Sequence, residues 1–175
     1  YARKNHPAEP FERFEILAVE NSFHGRTLGA LSATWPEKYR KPFEPLVPGF
    51  RFVRLNDVAH LRSSFTPRVA AILVEVIQGE GGVVELSEEF LKTAEQLCRE
   101  QDALLIADEI QCGLGRTGRW FGLDHWGVRP DLLVAAKGAT SGYWPFGFVA
   151  ASGRIHEVVS APGAGFVHGF TYSHQ

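Results

Sequence analysis

The chain has 175 residues, 45% of them hydrophobic and 22% charged, which suits one globular unit with a buried core. A formal net charge of −2 leaves no basic footprint for nucleic acid, and neither a signal peptide nor an apolar run of roughly 20 residues for a membrane span is present. Cys98 and Cys112 are too few for a disulfide framework and lack zinc-ligand spacing, so a reducing, cytoplasmic setting is expected.

The opening residues read as the tail of a helix ending before Pro7. With no methionine and no stop signal at its close, the sequence is expected to be the middle of a longer polypeptide. Residues 13–20 form a first strand candidate, followed by the polar turn NSFHGRT and a short helix over 27–33. Four prolines, Pro36, Pro42, Pro45 and Pro48, predict an irregular stretch over 35–50. A strand is expected over 51–55, then a helix capped by Asp57 and running to about Phe65.

Residues 69–77 read as a buried strand ending in the Gly-rich turn QGEGG. Ser87 can cap a helix over 88–101, whose apolar Phe90, Leu91, Ala94 and Leu97 have helical spacing. A strand over 103–107 follows at once, making a strand–helix–strand unit with parallel pairing and a right-handed crossover. Further strands are expected over 132–136 and 146–152. The pattern predicts an α/β fold, a mostly parallel sheet flanked by helices, with no internal repeat and no linker.

Two apolar strands stop at charged residues: LLIADEIQ at Asp108, Glu109 and Gln111, and LLVAAKG at Lys137. In parallel sheets ligands gather at the carboxyl ends of strands. A carboxylate and an amine at one sheet edge suit pyridoxal phosphate, the amine condensing with its aldehyde and the acid holding the ring nitrogen protonated. On the residues alone, Lys137 reads equally as a surface lysine at a strand end or as a nucleophile kept reactive by burial. Asp108 and Gln111 are spaced to reach different atoms of one planar ring, although a strand-end aspartate alone is often a cap or an ion-pair partner. Phe23 could stack on the ring face, and Arg26 could clamp a carboxylate in a bidentate pair.

Other signals are weaker. His24 reads as a packing or hydrogen-bonding residue, and Arg116 and Arg119 as structural ion-pair residues. Glu75 and Glu80 flank a turn as a hydrolase pair might, but no further acid–base partner is recognisable. QGEGG lacks both GK[ST] and GxGxxG, and the histidines lack metal-ligand spacing.

In order and spacing, NSFHGRTLGALSAT, EVIQGEGGV, LLIADEIQCGLGRTGRW, GVRPDLLVAAKG and HGFTYSH resemble the class III, fold type I, pyridoxal-phosphate aminotransferases across essentially the whole chain. That group includes the acetylornithine, ornithine, GABA and omega-amino-acid enzymes. The resemblance implies that residues 1–175 are part of the large, cofactor-binding domain, with the phosphate-cradling loop upstream, a small domain downstream, and little activity in these residues alone. It implies Lys137 as the residue bonded to pyridoxal 5'-phosphate and as proton shuttle, with Asp108, Glu109, Ile110, Gln111 and Phe23 around the ring. Thr171 matches a threonine that reaches the cofactor phosphate of a neighbouring subunit, which implies a homodimer. Arg26 matches the arginine for the donor's α-carboxylate, and Glu80 a gate glutamate that admits a dicarboxylic acceptor such as 2-oxoglutarate.

The sequence also departs from the family pattern. Glu75-Val76 stands where Glu-Pro is usual, keeping the acid and losing the proline, and Phe170 stands where acetylornithine enzymes commonly have serine. KGATSGYWPFG looks like the omega-aminotransferases, whereas SFHGRTLGALSAT and QGEGG look like the acetylornithine branch. The resemblance favours transfer from an acetylornithine-type donor to a 2-oxo acid. Another omega-aminotransferase, an aminomutase or decarboxylating relative, or a non-catalytic α/β module remain alternatives.

Overall fold

A computed structural model describes residues 1–5, 12–164 and 168–169, with the backbone alone at Arg3 and Lys4. Eight strands run in chain order: β1 (Glu15–Val19), β2 (Phe50–Val53), β3 (Val69–Glu75), β4 (Ile77–Gln78), β5 (Val84–Glu85), β6 (Leu104–Asp108), β7 (Leu132–Ala135) and β8 (Phe148–Ala151). The helices are α1 (Ala2–Asn5), α2 (Leu28–Ser32), α3 (Glu37–Arg40), α4 (Val58–Ser64), α5 (Glu88–Glu100) and α6 (Gly153–Ser160). The six-stranded sheet has the order β2-β1-β3-β6-β7-β8. Its pairs are parallel except β7 with β8.

The apolar patterning explains the layers. In β3 almost every residue is buried, as a strand covered on both faces requires. One face meets α4 and α5, where Leu61, Phe90, Leu91, Ala94 and Leu97 join Leu17, Ile72, Val74 and Leu105 in the main core. The other face packs Ala71 and Leu104 against Ile155 of α6, with Tyr1 beside them. Each large aliphatic or aromatic side chain so buried contributes about 1.5–3 kcal/mol. Asp57 and Ser87 cap α4 and α5 as expected, accepting the amides of His60 and Phe90 at 2.8 and 3.2 Å.

Three expectations shift. The Pro-rich stretch is partly helical, forming α3 and a 3-10 turn over Lys41–Phe43. Pro36 and Pro42 sit at or beside the first positions of these turns, where a missing amide costs nothing. The strand expected over 69–77 ends at Glu75, and Ile77–Gln78 leave the main sheet to pair antiparallel with β5. Asp108 lies within β6 rather than after it, because the register continues to Glu75↔Asp108.

Asp131 and Arg154 join the far strands to the sheet. The guanidinium of Arg154 holds Asp131 with two bonds, 2.6 and 2.8 Å, and also reaches Asp102 at 3.0 Å and the Ala103 carbonyl at 2.6 Å. Asp131 in turn accepts the Leu105 amide at 2.9 Å. Replacing Arg154 by methionine leaves this half-buried carboxylate without its fork, and should cost about 2 kcal/mol, seen as a lower urea midpoint. An unchanged midpoint would contradict this role.

Candidate active site

The chain passes from β1 outward to β2 and returns on the other side of β1 as β3, so a topological switch point lies between β1 and β3. Open parallel sheets bind ligands in the crevice at such a point, outside the carboxyl ends of the strands. Here that edge carries a hollow of 210 Å³. Phe23, His24 and Gly25 enter it from the loop after β1, and Glu75 from the end of β3. Glu80 comes from the turn beyond β4, Asp108, Ile110 and Gln111 from the end of β6, and Lys137 from beyond β7.

Local bonds hold the loop after β1 in place. The His24 amide donates to Thr34 Oγ1 at 2.9 Å, and Trp35 N–H to the Ser22 carbonyl at 2.8 Å. Gly25 has φ +124°, a conformation side chains rarely adopt, and a Cβ there would come within 3.2 Å of Ala30 Cβ. The Phe23 amide donates to Glu75 Oε1 at 2.5 Å, while its ring meets Tyr39 edge-on at 5.5 Å. Arg26 is exposed on the same loop, its guanidinium 5.6 Å from the Tyr39 ring centroid, and does not line the hollow.

Asp108 is 8% exposed. One oxygen lies 2.9 Å from His24 Nδ1 and the other accepts the Ile110 amide at 3.1 Å. His24 is thus a hydrogen-bonding residue, as expected. Its Nε2 is buried and, among the described residues, has no hydrogen-bond partner. Of the two readings left open for Lys137, the structure has the exposed one, and the residue also lines the hollow. Its φ of +44° is a left-handed conformation costing roughly 1–2 kcal/mol in a residue with a side chain.

Gln111 stands between this hollow and two others, of 400 and 610 Å³. The first of these also takes Lys137, whereas the largest carries neither Lys137 nor Asp108. Gly79 makes room for Gln111, since a Cβ there would sit 1.7 Å from its Oε1. Arg116 lines both neighbouring hollows. Among the described residues neither Arg116 nor Arg119 has a carboxylate within 4 Å, so the ion pairs expected for them do not form.

Glu109 is also placed differently from expectation. Its side chain turns away from the hollow into the core, 1% exposed. Oε1 accepts the Leu123 amide at 3.0 Å, and Oε2 accepts the Gly122 amide at 2.9 Å and the Cys112 thiol at 3.0 Å. Glu109 lies just past the end of β6, and its bonds to Cys112, Gly122 and Leu123 hold it in the core, away from the hollow that Asp108 lines. Burial pushes the Cys98 and Cys112 thiols far up from their ordinary value, which leaves them inert. Thr171, the expected phosphate contact, lies outside the described residues.

The residues present fit pyridoxal phosphate. Asp108 uses two of its roughly four acceptor sites, leaving capacity for a protonated ring nitrogen. The hollow exceeds the roughly 150 Å³ that accommodates a benzene ring. A primary amine and an aromatic side chain share it. Among the described residues no three His, Cys, Asp or Glu side chains could hold a metal ion.

Some contributions carried little signal in the sequence. Thr34 follows a short helix and looks like an ordinary turn residue. Glu75 was visible as an acid at a strand end, but its bond to Phe23 needed the fold. The bracing role of Glu109 predicts that Glu109→Ala costs about 3 kcal/mol, because two buried amides lose their acceptors. Glu109→Gln, which keeps one acceptor, should cost clearly less in the same chemical denaturation series.

The Aminotransferase class-III family profile matches residues 1–174. Over 152 residues the chain is 49% identical to an acetylornithine aminotransferase from Caldanaerobacter subterraneus subsp. tengcongensis, covering 87% of this chain and 38% of that one. An (S)-enantioselective omega-transaminase from Thermomicrobium roseum superposes with a TM-score of 0.90 at 35% identity, over 98% of this chain and 43% of that one. The ornithine aminotransferase of Toxoplasma gondii gives a TM-score of 0.86 at 38% identity, over 98% and 41%. The chain therefore spans less than half the length of these relatives. With that match and the α/β sheet just described, the chain belongs to the class-III aminotransferase family.

Proposed function

We propose that the protein containing this chain transfers an amino group from an ornithine-like or omega-amino donor, acetylornithine type favoured, to a 2-oxo acid such as 2-oxoglutarate, using pyridoxal 5'-phosphate. The observation that carries this reading is the meeting of Lys137, Asp108 and Phe23 around one hollow at the sheet's switch point. The acetylornithine and ornithine enzymes among its relatives support the donor class.

Pyridoxal phosphate, when bound, supplies an aldehyde for an amine and a ring that takes up electrons as a C–H bond breaks. Asp108, held by His24 Nδ1, would bond the ring nitrogen. Phe23 closes one face of the ring against water, and Gln111 donates its amide toward the ring oxygen. Lys137 Nζ would hold the cofactor and would move a proton to and from the reacting carbon. Arg26 receives the donor's α-carboxylate, and Glu80 at the rim answers to the acceptor. The proposal includes a cytoplasmic homodimer, with Thr171 serving the partner's cofactor. Among the described residues no helix is long and apolar enough to cross a membrane.

Borohydride reduction of the full-length protein after adding pyridoxal phosphate should label Lys137 and no other lysine. Asp108→Asn should lower kcat by about 10²–10³-fold with the label retained. Stoichiometric glutamate from 2-oxoglutarate, with ping-pong kinetics, separates transfer from aminomutase or decarboxylase chemistry. A label elsewhere, or none, would favour a non-catalytic module.

A further inference from the structure

Two acids end adjacent strands at the same level, Glu75 on β3 being paired in register with Asp108 on β6. They are 5% and 8% exposed, and both line the hollow that takes Lys137. Neighbouring buried carboxyls do not both ionise without large cost. The environments of the two differ. Asp108 has the His24 imidazole at 2.9 Å, a partner suited to its charge. Among the described residues Glu75 has no cationic partner within 4 Å, only the backbone amides of Phe23 and Gly79. Burial pushes the Glu75 carboxyl up from its ordinary value, and the nearby Asp108 adds to this against the opposing pull of the amides and His24.

The bond from Phe23 to Glu75 has a second consequence. Phe23 is the aromatic side chain among those lining the hollow, and its backbone amide is anchored on Glu75 Oε1 at 2.5 Å. The same acid therefore sets both the aromatic wall and the charge balance of the pair. The titratable groups facing Glu75 are His24 from the loop after β1, Asp108 from β6, Glu80 from beyond β4 and Lys137 from beyond β7.

Resting on the reading of the site given above, we propose that Glu75 is a positioning residue for the cofactor ring. Its carboxyl fixes Phe23 against the ring face through the Phe23 amide, and it does so protonated, adding no second charge beside Asp108.

The test compares full-length wild type with Glu75→Gln and Glu75→Ala. Glutamine is neutral and keeps a carbonyl acceptor for the Phe23 amide, so it imitates the protonated acid. Equilibrium dialysis against pyridoxal phosphate should place Glu75→Gln within about threefold of wild type and Glu75→Ala at least about tenfold weaker. The absorption spectrum of bound cofactor should keep its pH profile in Glu75→Gln and change it in Glu75→Ala. In the apoprotein, a carboxyl whose folded pKa is raised stabilises the fold below its unfolded value. That stability is lost as pH rises through the folded pKa. Wild-type thermal stability should therefore show this fall, and Glu75→Gln should lack it.

Cofactor binding by Glu75→Ala indistinguishable from wild type overturns the proposal. So does binding by Glu75→Gln as weak as by the alanine variant, since a charge would then be what matters. If the alanine variant does not fold, the glutamine variant decides in the same two directions. Failure of the underlying functional reading is distinct, because wild type itself would then take no label at Lys137. The apoprotein stability profile would still report whether Glu75 holds the proton.

Discussion

Parallel pairing of β1, β3, β6 and β7 makes their carboxyl ends share one edge, and the site depends on that geometry. The register runs from Glu75 to Asp108 and from Asp108 to Val134, so the residues just beyond β7 arrive opposite the end of β6. Lys137 approaches Asp108 for this reason, not through closeness in sequence. The turn of the chain at the β1/β3 switch point opens a gap above these ends, into which the loop after β1 carries Phe23 and His24. A slip of one residue in β6 would exchange the faces of Asp108 and Glu109 and remove the carboxylate from the hollow.

The buried polar groups divide into those that are saturated and those that are not. Glu109 and Asp131 spend their oxygens on backbone amides, a thiol and a guanidinium, and so brace the loop over residues 112–123 and the outer strands. Such groups are stable because nothing is left unpaired. Asp108, Glu75 and the Nε2 atom of His24 retain unused bonding capacity beside a hollow. Buried polar atoms in that condition are costly to keep, and the hollow they face is where a polar ligand repays the cost. Lys137 adds a strained backbone to the same place.

The rim is less constrained than the floor. Glu80, Gln111 and Lys137 are exposed, whereas Asp108 and Glu75 are buried. A substitution at the rim disturbs less packing than one at the floor.

Apolar runs ending in Asp108 and Lys137 were enough to expect buried parallel strands, and the spacing of Phe90, Leu91, Ala94 and Leu97 was enough to expect the crossover helix. Both signals are local, since burial on two faces and helical periodicity are written in consecutive residues. The cap residues Asp57 and Ser87 were legible for the same reason. Which side chains share the hollow was decided only by tertiary structure. Bonds to the loop over residues 112–123 turned Glu109 away from Asp108, and among the described residues Arg116 and Arg119 found no acid within reach. Lys137 is exposed at the hollow's mouth, and Glu75 took hold of the Phe23 amide across the β1/β3 gap. Composition and periodicity describe what one segment prefers, whereas contact between segments depends on register and on loop paths that no single segment encodes.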